Sequence, residues 1–218
     1  MTMIAARQFR TMLAQVTPHM GSDDTLPVLT AIHLECGRGN LFAVATDQYT
    51  MGIARATVDS RDNWTGRIQR EDMKTVTAWL RTAPETIEIT GIRDGDTVTV
   101  TLAHDGSTLR LAAGAHGELP KWRDLVKGAV TAKAAAVDLN AFNTAFLARF
   151  KAAGTVLHTW QGGPGKPLLF TDAEATFVGI QMPVRTDERQ VSRDSLAEKW
   201  TRHLPAAPAD PVADAAAA

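Results

Sequence analysis

The chain has 218 residues, 44% of them apolar and 22% charged, with a formal net charge of −1. That length can bury one sizeable core or two small ones, and the composition argues against a wholly disordered chain. Near-neutrality argues against coating of nucleic acid by bulk positive charge, and five tryptophans with one tyrosine are few for a base-stacking platform. Cys36 is the single cysteine, so no intramolecular disulfide can form. With no apolar secretory segment at its start, the chain is expected in a reducing, cytoplasmic compartment. No apolar run approaches the roughly 18 residues of a spanning helix, so no membrane insertion is expected.

In chain order, Ala5 to Val16 is the first predicted helix, with Phe9, Leu13 and Val16 on one stripe and Arg7 and Arg10 elsewhere around it. Residues 25–58 then read as three strands. Val28, Ile32 and Leu34, then Leu41, Ala43 and Ala45, then Met51, Ile53 and Ala56 follow an approximate period of two. Gly37-Arg38-Gly39-Asn40 is the first turn, and at the second corner Asp47 can hydrogen-bond its own backbone to fix a tight bend. Residues 59–65 read as a polar loop.

A second copy of this unit starts at Gly66. Arg67-Ile68-Gln69 is a short strand, Arg70 to Thr82 a helix carried by Met73, Val76 and Leu80, and Pro84 its stop. TIEIT from Thr86, TVTVTL from Thr97 and TLRLA from Thr108 alternate cleanly, with Asp94-Gly95 and Asp105-Gly106 as hairpin turns. Residues 118–136 read as a connector. A third copy follows: Val137-Asp138-Leu139 as a strand, Asn140 to Ala153 as a helix through Phe142, Phe146 and Phe150, and strands over 155–160, 167–171 and 176–182. The fold class is therefore α+β, three repeats of about 60 residues, each a strand, a helix and three antiparallel strands. Units 1–60 and 66–117 make one complete domain and 137–186 a half domain. A short helix over SRDSLAEKWTRHL lies within a 187–218 tail that is otherwise low-complexity and expected to be flexible.

Catalytic and metal readings are weak. The six histidines are scattered and, with one cysteine, give no sensible metal-ligand spacing, so no metal or cofactor is expected. Gly162-Gly163-Pro164-Gly165-Lys166 has Pro167 where a phosphate loop needs Ser or Thr, and reads as a hairpin turn. Asp94-Gly95-Asp96 lacks the remaining ligands of a calcium loop.

The repeat, together with Leu26-Pro27-Val28-Leu29, Ala45-Thr46-Asp47, Leu119-Pro120-Lys121-Trp122 and Met182-Pro183-Val184-Arg185, resembles the bacterial DNA polymerase III β sliding clamp family. That resemblance implies a DNA-clamp fold with the helices on one face and antiparallel sheets on the other. It also implies a non-enzymatic processivity factor, a ring around duplex DNA that tethers polymerases and other proteins and is placed there by a clamp loader. The chain carries three units. If a ring needs about twelve, four copies would close it, with a trimer or an incomplete ring as alternatives. The short length points to a phage, plasmid or accessory clamp. The rival reading is a clamp-fold interaction module that binds clamp-directed peptides, or caps another clamp, without encircling DNA.

The candidate DNA-facing residues are Arg7 and Arg10 on the first helix, Arg70, Lys74 and Arg81 on the second, and Arg149 and Lys151 on the third. A sliding ring needs only long, solvated phosphate contacts from such side chains. The resemblance further implies an apolar peptide pocket formed by Thr46, Gln48, Tyr49 and Met51, by Leu125 and Val126, and by Ile180, Met182 and Pro183. Its methionines could repack around different linear peptides.

Overall fold

A computed structural model describes residues 1–115, 117–136, 140–185 and 192–203. The expected strand at 137–139 and the chain beyond 203 lie outside the described residues. Unit one is β1 (Thr2–Ala5), α1 (Ala6–Val16), β2 (Ala31–Gly37), β3 (Asn40–Thr46) and β4 (Thr50–Thr57). Unit two is β5 (Trp64–Gln69), α2 (Met73–Thr82), β6 (Thr86–Asp94), β7 (Thr97–His104) and β8 (Ser107–Gly114). Trp64 and Thr65, expected in a loop, belong to β5 because the whole segment pairs with β2, Cys36 opposite Trp64 and Ala31 opposite Gln69.

The first strands of the two units are exchanged. β1 pairs with β6 of unit two, and β5 pairs with β2 of unit one, so neither sheet is complete without the other unit. One core lies between both sheets and the helices. Phe9, Met12, Leu13 and Val16 of α1 and Val76 and Leu80 of α2 meet Ile32, Leu34, Leu41, Ile68, Ile87, Ile89 and Leu102. Each such side chain contributes about 2 kcal/mol of burial. A small polar network pins the N-terminal strand: Thr2 Oγ1 accepts from Trp64 Nε1 at 2.9 Å and lies 3.0 Å from Ser60 Oγ.

The third unit departs from expectation at its helix. In place of one helix over 140–153 there is a short α4 (Thr144–Leu147), capped by Asn143 Oδ1 accepting from the Ala145 N–H, and then a 3-10 helix over Ala148–Ala153. The tighter winding has a packing reason. Leu147, Phe150 and Ala153 are three apart and all pack in one cluster with Phe170 and Phe177, a match to three residues per turn. The connector is also structured. α3 (Trp122–Thr131) sets Trp122, Val126 and Ala129 against Val44, Met51, Ile53, Leu169 and Ile180, on the sheet face opposite α1. Not every helix therefore lies on one side.

The remaining strands, β9 (His158–Gln161), β10 (Leu168–Thr171) and β11 (Phe177–Gln181), extend unit one's sheet through an antiparallel β4–β11 pairing. The result is a seven-stranded sheet ordered β5-β2-β3-β4-β11-β10-β9 beside a four-stranded one ordered β1-β6-β7-β8. Last of the described elements is α5 (Arg193–His203), where a helix was expected; its Leu196 and Trp200 are exposed. Among the described residues no helix is long and apolar enough to cross a membrane.

The β4–β11 junction is held by a glycine pair. Gly52 faces Gly179 across the strands, and the space above them is filled by the rings of His19 and Phe150, whose centroids are 4.8 Å apart. A Cβ on Gly52 would come within 2.4 Å of His19 Cδ2, and one on Gly179 within 2.3 Å of Phe150 Cε1. Gly179→Ala should therefore lower stability by about 2 to 3 kcal/mol through overpacking. Chemical denaturation reads this directly, and an unchanged midpoint would rule out the close fit.

His19 is fully buried, and neither ring nitrogen has a hydrogen-bond partner among the described residues. Burial first, then nearby Arg149, pushes its pKa down to about 4, against an opposing pull from Asp47. Burial likewise pushes His33 down to about 4, although its Nε2–H donates to the Val28 carbonyl at 2.7 Å. Between pH 6.5 and about 4 the unfolded chain binds protons that the folded chain refuses. Stability should thus fall as pH drops through that window, each histidine adding a slope approaching about 1.4 kcal/mol per pH unit, and level off below it. His19→Leu should remove about half of this slope in denaturation series between pH 7 and 5.

Candidate functional site

α1 and α2 lie side by side on the inner face of the sheets, and a groove of about 810 Å³ runs between them. Arg10, Lys74 and Arg81 line it, with small neighbours such as Ala14, Thr77 and Ala78 and no carboxylate. The reason is local. Each helix turns its apolar stripe into the core, so Arg10 is left exposed by the burial of Phe9 and Leu13, and Lys74 and Arg81 by that of Val76 and Leu80. Arg7 is exposed one turn before Arg10 on the same flank. The helical segments ARQFRTMLAQV, MKTVTAWLRT and TAFLARFKAA contain no Asp or Glu.

The other three predicted cations differ in availability. Lys151 is exposed on the 3-10 helix, which packs beside α1. Arg70 is exposed at its surface but commits one Nη2–H to the Met20 carbonyl at 3.0 Å. Arg149 is not presented with them. Its guanidinium is 2.5 Å from Asp47 Oδ2, donates to Thr50 Oγ1 at 2.7 Å and lies over the Phe146 ring at 4.4 Å, leaving the side chain 24% exposed. It serves the β3–β4 corner instead, because an adjacent carboxylate and aromatic face outcompete open solvent.

That corner is built as its sequence predicts and then used twice. Asp47 Oδ1 accepts from the Tyr49 N–H at 3.0 Å and the Thr50 N–H at 2.8 Å, fixing a bend in which Gln48 takes a φ of 78°. Asp47 Oδ2 then binds Arg149 of the third unit. Thr46 is buried and donates to the Thr50 carbonyl at 2.7 Å, and Tyr49 stacks on Phe146 at 5.5 Å.

The nine residues assigned to a peptide pocket divide in two. Met51, Val126 and Ile180 do come together, but as packed core beneath α3. Tyr49 and Met182 stay exposed near them, with the Met182 N–H bonded to the Tyr49 carbonyl at 2.9 Å and Pro183 following. Leu125 is exposed on α3, and Gln48 is exposed at the corner. The sequence reading missed α3. Its signal was the apolar spacing Trp122, Val126, Ala129, at i, i+4 and i+7.

No protein-family model matches the chain, and no curated protein matches it. Solved structures do. The DNA polymerase III β subunit of Thermotoga maritima superposes with a TM-score of 0.67 at 14% identity, over 85% of this chain and 65% of that one. The Bacillus subtilis DNA polymerase sliding clamp gives 0.64 at 14%, over 85% and 64%. A Pseudomonas aeruginosa sliding clamp bound to griselimycin gives 0.65 at 13%, over 84% and 65%. The fold is that of these sliding clamps, α+β, and the chain spans less than two thirds of their length.

The corner carries a test of its double use. Asp47→Ala removes the backbone acceptor and strands Arg149, and should cost about 3 kcal/mol; Asp47→Asn keeps an acceptor for the backbone and should cost about half that. Equal losses in thermal unfolding would mean that only one of the two roles matters.

Proposed function

We propose that this chain is a sliding-clamp-like processivity factor, copies of which close into a ring around duplex DNA and tether a polymerase or repair protein. The observation that carries this reading is the segregation of charge. α1, α2 and the 3-10 helix over 148–153 turn Arg7, Arg10, Lys74, Arg81 and Lys151 to solvent and hold no carboxylate, although Glu71 and Asp72 lie in the 3-10 turn just before α2, in a chain whose net charge is −1. Such a surface attracts the phosphate backbone without reading bases, and its hold on DNA weakens with salt. No chemistry is required of it.

Ring closure is supported by the sheet edges. Among the described residues β8 and β9 are the outer strands of the two sheets, at the ends away from the exchanged strands β1 and β5. β9 carries exposed Trp160, with exposed Val156 just before it. An exposed apolar edge strand is a template for pairing with another chain. Head-to-tail addition of β9 to β8 of the next copy would continue the sheet, and four copies would bring the about twelve units of a closed ring. Partner peptides would dock at the rim formed by exposed Tyr49, Met182 and Leu125 and half-buried Pro183, beside the packed Met51 and Ile180. A clamp loader would open a subunit interface.

Two measurements test this together. Native mass spectrometry of the intact protein should give a four-subunit mass; a stable monomer overturns the ring and leaves the rival, a clamp-fold module that binds peptides without encircling DNA. Retention on closed circular DNA should exceed retention on the linearised circle, and R10E/K74E/K151E should reduce it at least about tenfold. Retention that survives this triple change sinks the assignment of those helices to DNA.

A further inference from the structure

Charge is concentrated in a second place, on the face opposite α1 and α2. Along β2, β3 and β5 the side chains of Leu34, Cys36, Leu41 and Ile68 point into the core, so those of Glu35, Phe42, Thr65 and Arg67 point the other way. Two clefts of about 830 and 580 Å³ open there, where β2 and β5 meet β6. Both are lined by Glu35, Thr65, Arg93 and Arg123, so they adjoin. Arg38 joins the first, and Arg67 and Lys121 the second. Glu35 and Glu118 are the carboxylates lining either.

These basic groups are held in different ways. Arg123 pairs with Glu35 and lies over the Trp122 ring at 4.5 Å. Arg67 is held in place by donating to the Gly114 carbonyl at 2.9 Å and the Gly117 carbonyl at 2.6 Å. Burial, and after it the Arg93 guanidinium, lower the Arg67 pKa from its usual range. Arg38 and Arg93 make no ion pair among the described residues. Folding gains nothing from exposed guanidinium groups gathered around one cleft; an anionic ligand would.

We propose that this pair of adjoining clefts binds an acidic peptide segment of a partner protein, its carboxylates on Arg38 and Arg93 and an apolar side chain against the accessible part of the half-buried Phe42 and Trp64 rings. Guanidinium groups suit carboxylates because they can donate two parallel hydrogen bonds. A nucleic-acid strand fits less well, since it would need open aromatic faces on which to stack. Here the Trp64 ring lies over Gly91, where a Cβ would come within 2.5 Å of it, and the Phe42 ring packs against Trp122 at 5.5 Å. The site is independent of any ring around DNA.

The test uses the full chain and a fluorescein-labelled peptide, Glu-Asp-Glu-Phe-Glu-Asp-Glu, followed by fluorescence anisotropy. Binding should weaken as salt rises and fall about tenfold in R38N/R93Q, with R93K restoring part of the loss in the R38N background. Asn suits position 38 because it tolerates the φ of 51° found there, and circular dichroism confirms that the variant is folded. Retention on DNA circles should not change in R38N/R93Q, which separates this site from the helical face. No binding of the peptide, binding indifferent to R38N/R93Q, or an equally charged oligothymidylate that competes as well as unlabelled peptide would each overturn the proposal.

Discussion

The architecture depends on one close approach, the Gly52–Gly179 pair at the β4–β11 junction. Two strands from different repeats can join edge to edge only if the face above them is filled. With no Cβ on either residue, the rings of His19 and Phe150 drop almost onto the backbone. Phe150 in turn stacks on Phe170 at 4.1 Å, so the third unit's small core begins where the first unit's ends. The same junction brings Arg149 to Asp47. The buried histidine is uncharged at neutral pH, and that neutrality is what lets an imidazole serve as a flat apolar filler in a site that offers it no hydrogen-bond partner among the described residues.

Charge is distributed in two separate fields on a nearly neutral chain. On the inner face the helices offer exposed cations spaced along α1, α2 and the 3-10 helix over 148–153, with Glu71 and Asp72 confined to the turn before α2. On the outer face guanidinium groups converge on a cleft instead. The difference is geometric. Helical side chains at intervals of three and four spread along a groove, whereas arginines from β5, β6, the β2–β3 turn and α3 meet because separate elements cross at one place. A spread of cations suits a long, uniform polyanion; a convergence suits a compact one. Between the two faces, the strand exchange of β1 and β5 ties the first two units together, so the inner and outer surfaces cannot shift independently of the sheets.

Much of this was legible in the sequence because it is local. The alternation in TIEIT, TVTVTL and TLRLA, the turns at Asp94-Gly95 and Asp105-Gly106, the stripe Phe9, Leu13, Val16 and the self-capping Asp47 each depend on residues within a few positions of one another. The three-unit repeat follows from them, and so do the basic flanks of α1 and α2, since burying the apolar stripe leaves Arg10, Lys74 and Arg81 outside.

What only the tertiary structure decided involves distant partners. Trp64 became a strand residue because Cys36 lay opposite it, and residues 148–153 wound as a 3-10 helix because Leu147, Phe150 and Ala153 had to meet a single cluster. Arg149 left the basic face because Asp47, far away in the chain, was waiting unpaired at a corner. α3 settled on the apolar outer face of the sheet, where Met51, Val126 and Ile180 became core and left Tyr49 and Met182 at the rim. Periodicity reports which face of an element is apolar; it carries no information about which other element will cover that face, and here the covering element was the one that read as a connector.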